Sequence, residues 1–166
     1  MAEPWRLRRW RSTAGPYLAL YTCARPGRSK GPSGAVPKHL VVEWMEGVLR
    51  LSSGRRVTLV SLLGEKNGKS EFDFYPFGSA LGSTTDSKPS FQEWLDTGAW
   101  SSPIRVVEYP TKDFTPVPDS TLQAIQPAVL SALRDGQLVV VFDSGGQQRT
   151  SQVCTHLGFV EDSTDA

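Results

Sequence analysis

Two apolar runs, Val57-Thr58-Leu59-Val60-Ser61-Leu62-Leu63 and Leu138-Val139-Val140-Val141-Phe142, constrain this chain more than any other feature. Both are too short to cross a membrane as a helix. Neither shows the alternation of a strand with one wet face, so each reads as a strand covered on both sides, the situation at the centre of a parallel sheet. Helical stripes lie between them. Pro37 stands at a first helical position ahead of Leu40, Val41, Trp44, Val48 and Leu51, and Gly54 ends that pattern. Asp119 or Ser120 opens a second helix carrying Leu122, Ile125, Val129, Leu130 and Leu133, closed by Asp135-Gly136 and expected to kink at Pro127. Ser90-Phe91-Gln92-Glu93 has capping-box spacing before Trp94 and Leu95. Tyr17 to Cys23 and Ile104 to Tyr109 read as further strands, while 24–36, most of 64–88 and 110–118 read as loop. Strand and helix in alternation predict an α/β fold, its central mainly parallel sheet flanked by helices and joined by right-handed crossovers.

A length of 166 residues suits one such domain. The charged fraction is ordinary and the formal charge is +1, so nothing in the bulk composition demands nucleic acid or a membrane. Cys23 and Cys154 have no metal-ligand spacing and form no disulfide framework, which points to a reducing cytoplasm and to neither metal nor cofactor. Residues 1–16, with Arg6, Arg8, Arg9 and Arg11, read as a basic, solvated segment outside a domain spanning 17–160, and 161–166 as an acidic tail. The apolar stretch from Pro16 to Ala24 is too short and proline-broken for a signal sequence. Tyr21 and Thr22 fit poorly at a lipoprotein cleavage site ending in Cys23.

The chemistry gathers where the second apolar run meets Asp143-Ser144-Gly145-Gly146-Gln147-Gln148-Arg149-Thr150 ahead of a helix-like stretch. In a strand, glycine-rich turn and helix start of this kind, successive N–H groups, the positive helix end and a guanidinium converge on one point suited to phosphate. The plainer alternative is a polar turn, with Asp143 capping the helix and Arg149 on the surface. Other phosphate motifs fit less well. Gly64-Glu65-Lys66-Asn67-Gly68-Lys69-Ser70 is one residue short of a Walker A loop, and the Ser144-Gly145-Gly146-Gln147-Gln148 run only echoes the signature of ATP-binding-cassette ATPases. An aspartyl phosphatase of the haloacid dehalogenase type needs a second Asp where Gly145 stands. His39 and His156 lack a partnered Cys or Ser, Cys154 reads as packed, and Trp44, Trp94 and Trp100 read as packing aromatics.

The turn resembles the signature of the cysteine-based tyrosine and dual-specificity phosphatases, in which a nucleophilic Cys precedes five residues, an Arg and a Ser or Thr. Gly146, Arg149 and Thr150 keep the spacing, and Asp143 stands where the family has Cys. Tyr109-Pro110-Thr111-Lys112-Asp113-Phe114-Thr115-Pro116 resembles the family's general-acid loop, and Gly34 to Val36 with the Trp44 helix resembles the start of such a domain. The resemblance implies a compact dual-specificity-phosphatase-like fold. It also implies that Ser144, Gly145, Gly146, Gln147 and Gln148 donate backbone N–H groups, that Arg149 clamps phosphate oxygens, that Thr150 supports the nucleophile position and that Asp113 is the general acid. A carboxylate is a far poorer nucleophile than the family's thiolate. At position 143 it is also placed to accept the donors meant for phosphate. The expectation is a pseudophosphatase acting as a binding or regulatory module toward a phosphorylated protein or a small phosphate ester. The alternative is an active phosphatase, with Asp143 either native and forming an acyl phosphate or an engineered replacement of Cys. Family members usually continue with more helices, whereas this signature helix ends near Leu157. A homo-oligomeric contact is expected at that missing wall.

Overall fold

A computed structural model describes residues 6–13, 15–28, 35–81 and 88–162. Its elements are β1 (Arg8–Ser12), β2 (Leu20–Ala24), α1 (Lys38–Ser52), β3 (Val57–Ser61), β4 (Glu65–Lys66), β5 (Lys69–Ser70), a 3-10 turn (Glu71–Phe74), α2 (Phe91–Asp96), β6 (Ile104–Glu108), α3 (Asp119–Arg134), β7 (Leu138–Asp143), α4 (Gln148–His156) and β8 (Phe159–Glu161). Six strands form one sheet in the order β6-β3-β7-β2-β1-β8. β6, β3, β7 and β2 are parallel, and β1 and β8 add antiparallel at the end.

The apolar runs occupy the middle of the sheet for the reason their composition gives. Along β7, Leu138, Val140 and Phe142 belong to one core, with Trp44, Met45 and Phe91, while Val139 and Val141 belong to the other, with Ile125, Val129 and Val153. A strand with helices on both faces needs an apolar residue at every position, because each pleat direction ends in a core. α1 and α2 cover the first face, and α3 and α4 the second. At about 25 cal/mol per Å² of apolar area removed from water, this burial is the main force holding the layers together.

α2 carries the capping box expected at Ser90 and Glu93. α3 runs as one helix from Asp119 to Arg134 with Pro127 inside it, on the exposed side. The segment resembling a Walker A loop is a tight hairpin instead. Asn67 (φ 52°) and Gly68 (φ 77°) both take the left-handed region, as the two central residues of a type I′ turn must.

Both chain ends differ from the expectation. Residues 8–12, assigned to a solvated segment, form β1, whose Trp10 is 5% exposed and donates its indole N–H to Thr22 Oγ1 at 3.0 Å. Glu161, assigned to the tail, belongs to β8 and pairs with Arg8. The sheet therefore spans 8–161, wider than the 17–160 boundary. A basic strand escapes a composition-based reading because its charges are satisfied by partners far away in sequence. Gly34, and residues 163–166 of the acidic tail, lie outside the described residues.

Candidate functional site

Parallel strands bring their carboxyl ends to one edge, and four connections meet there: 25–28 after β2, 62–64 after β3, 109–114 after β6 and 144–149 after β7. β7 lies between β2 and β3, so Asp143, the last residue of β7, sits mid-edge, paired in register with Ala24. Open α/β sheets place ligand sites at this edge.

The turn after Asp143 is curled. Gly146 has φ 74°, and a Cβ there would stand 2.3 Å from the Ala24 nitrogen, so close packing and dihedral both require glycine. The Ser144 and Gly146 carbonyls accept from Arg28 Nη1 at 3.1 Å and Arg8 Nη1 at 2.7 Å. Inside the curl the Asp143 carboxylate takes two backbone donors. Oδ1 accepts from Gly146 N–H, and Oδ2 accepts from Thr150 N–H at 2.9 Å. Asp143 is 2% exposed. Gln148 and Arg149 head α4, where backbone N–H groups have no intrahelical acceptor. Gly145, Gln147 and Gln148 are exposed, and Ser144 is buried. The buried Thr150 Oγ1 has no partner among the described residues.

Arg149 is 3% exposed. Its Nη1 donates to Leu62 O (3.2 Å), Thr111 Oγ1 (2.9 Å) and Glu71 Oε1 (3.0 Å), and its Nη2 lies 3.4 Å from Glu71 Oε2 and 3.2 Å from Asp113 Oδ1. Lys66 Nζ stands 3.7 Å from Asp113 Oδ2, and Gly64 N–H donates to Glu71 Oε1 at 3.3 Å. A chain of charge therefore runs from the buried Glu71 and Arg149 through the partly buried Asp113 to Lys66, which is open to solvent. Backbone bonds pin the same segment, because Glu65 N–H reaches Thr111 O and Asp113 N–H reaches Glu65 O. Gly64 permits that approach, since a Cβ would lie 2.2 Å from Thr111 O.

The structure thus brings Asp113, Asp143, Arg149 and Thr150 to one sheet edge. The plain-turn alternative describes half of this, for Asp143 does cap α4 through Thr150 N–H, but Arg149 is not on the surface. Glu71, Thr111, Lys66, Arg8 and Arg28 join the site without having been assigned to it from the sequence. Glu71 lies in the stretch read as loop, and nothing local marks a carboxylate whose partner is an arginine far along the chain. No group of His, Cys, Asp and Glu suited to a metal occurs among the described residues. Neither cysteine is a stand-in nucleophile. Both are buried, burial pushes the Cys23 thiol up to about 12, and burial raises Cys154 as well. No helix among the described residues is long and apolar enough to cross a membrane.

Fold and site together define a class: an α/β protein in which the turn after the central strand β7 curls around that strand's own terminal carboxylate at the carboxyl edge of the parallel strands. No protein-family model matches the sequence, and no curated protein matches it. Among solved structures the chain is similar to Tk-PTP in the active form, at 19% identity and a TM-score of 0.42, over 68% of this chain and 59% of that one. It is also similar to a glycine-to-alanine mutant form of Tk-PTP, at 19% identity and a TM-score of 0.45, over 82% of this chain and 69% of that one. The chain thus spans 59% of the length of the first of these.

Proposed function

We propose that this protein is a tyrosine- or dual-specificity-phosphatase-like member that does not turn over phosphate monoesters efficiently and acts as a cytoplasmic binding or regulatory module. The observation that carries the reading is the Asp143 carboxylate, which accepts from Gly146 N–H and Thr150 N–H inside the curled turn. Those donors face the spot at which an anion would gain most from the loop, and a carboxylate already uses them. A phosphate about 4 Å from that charge meets roughly 4 kcal/mol of repulsion at an effective dielectric near 20. Arg149 offers limited compensation, because Glu71 and Asp113 already hold its guanidinium.

The ligand class in this reading remains a phosphorylated protein or small phosphate ester. It engages the Gly146 and Thr150 N–H groups once Asp143 is displaced or neutralised. Asp143, Asp113, Arg149 and Thr150 hold the nucleophile, acid, clamp and support positions, with the nucleophile chemically disabled. Turnover of an aryl phosphate and of phosphotyrosyl and phosphothreonyl peptides tests this on the native chain, Asp143→Cys and Asp143→Asn. Native turnover near background, with a gain of at least about a hundredfold in Asp143→Cys, is the expected result. Robust native turnover that disappears in Asp143→Asn, with phosphate trapped on Asp143, would establish the active-enzyme reading instead.

A further inference from the structure

We propose that Gln152 is a positioning residue. Together with Arg149, one turn before it on α4, it fastens segment 111–117 to the helix that follows the Asp143 turn. Asp113 is then held at the site by α4 instead of being delivered there by a loop that opens and closes. The fastening stands on hydrogen bonds alone, while the acid position given to Asp113 rests on the function proposed above.

Pro116-Val117-Pro118 explains why such a residue is needed. Neither proline has an N–H, and each pushes the residue before it toward extended backbone, so no regular ladder continues through Val117. Val117 is 2% exposed and packs in the core that holds Ile125 and Val129. Its own N–H and carbonyl must therefore find partners away from water. Gln152 supplies both. Its Oε1 accepts from Val117 N–H at 2.7 Å, and its Nε2 donates to Val117 O at 3.0 Å.

Arg149 and Gln152 are three residues apart and so lie side by side on α4. Arg149 holds the start of the segment, through Thr111 Oγ1 at 2.9 Å and Asp113 Oδ1 at 3.2 Å, and Gln152 holds its end. The 64–70 hairpin ties the same segment from elsewhere, since Asp113 N–H donates to Glu65 O at 2.8 Å. Between the two fastenings, Thr115 Oγ1 donates to Lys112 O at 2.7 Å, and Phe114 N–H donates to Asp113 Oδ1 at 3.0 Å. Phe114 is an independent sign of constraint. It has φ 63° while 69% exposed, and left-handed backbone at a residue with a Cβ persists only where its surroundings over-determine it. A loop built to swing carries few such bonds.

The test is amide hydrogen exchange, read residue by residue by NMR, on the full chain and on Gln152→Met, which keeps a side chain of similar length and removes both bonds. The expected result is slow exchange at Val117 and Asp113 in the native protein. In Gln152→Met protection falls about tenfold at Val117 and severalfold at Asp113, while the amides of β3 and β7 change far less. Fast exchange at Val117 in the native chain, unchanged exchange at Val117 or Asp113 in Gln152→Met, or an equal loss across β3 and β7 would overturn the proposal. A second measurement adds Gln152→Met to Asp143→Cys. Its kcat should drop about tenfold on an alkyl phosphate, whose leaving oxygen needs a proton, and hardly at all on p-nitrophenyl phosphate. Equal losses on both substrates would count against a positioning role. If Asp143→Cys turns over neither substrate, the function proposed above fails, and exchange at Asp113 still decides whether Gln152 holds it.

Discussion

Arg149 is the residue on which the site depends, and its surroundings set the cost of disturbing it. A guanidinium 3% exposed is tolerable only because Glu71, Thr111, Leu62 O and Asp113 surround it. Breaking a buried pair by deleting one partner leaves a charge without compensation. Glu71→Ala should therefore destabilise the fold by about 3 kcal/mol, read as a lower denaturant midpoint at unchanged slope. Asp113→Ala should cost less, because Glu71 still holds Arg149. Gly146 is constrained by geometry instead of charge. Gly146→Ala places a methyl 2.3 Å from the Ala24 nitrogen at φ 74°, and a loss of at least about 2 kcal/mol is expected in chemical denaturation. In the sequence Gly146 and Arg149 were visible as spacing, whereas the clamp on Arg149 was not. Spacing fixes where a side chain leaves the backbone, and the partners arrive from other strands.

Among the elements, β6 shows how an exposed sheet edge is closed. Gln92 of α2 donates from Nε2 to Ile104 O and accepts from Val106 N–H through Oε1, so one amide side chain imitates a further strand. The end of β6 carries a different balance. Glu108 Oε2 accepts from Ala80 N–H and Ser79 Oγ, Oε1 is buried with no partner among the described residues, and burial raises the carboxyl above its ordinary value of 4.5. A raised acid binds its proton more readily in the folded state than in the unfolded one. Its contribution is therefore fully present below about pH 4.5 and is lost as pH rises through the folded value. Glu108→Gln, which keeps the acceptor without the charge, should flatten that loss and leave the protein at least as stable at pH 7. Thermal melts of both proteins across pH 4 to 8 measure it. The capping box of α2 was readable from four adjacent residues because both of its bonds are local. The 64–70 hairpin was not, although Asn67-Gly68 carried the turn signal, because the flanking strands are two residues each and show no alternation.

At the scale of the whole molecule, the chain's beginning and end are sewn into one edge of the sheet. β8 pairs with β1 alone among the described strands, Arg8 bonds Glu161 at 2.5 Å and Gly146 O at 2.7 Å, and Trp10 fills the second core. Removing residues 1–12 should thus cost about 3–5 kcal/mol, the scale of losing a buried tryptophan, and a calorimetric melt of the shortened chain tests this. A solvated tail would leave the melting temperature unchanged. By itself the sequence determined the layer order of the fold, because a run apolar at every position belongs between two cores and the turn spacing after β7 is local. Only the tertiary structure decided that Glu71 and Asp113 claim Arg149 and that a basic leading segment is a strand. Each of those outcomes depends on groups many residues apart meeting at short range, where burial and charge turn a permitted contact into a required one.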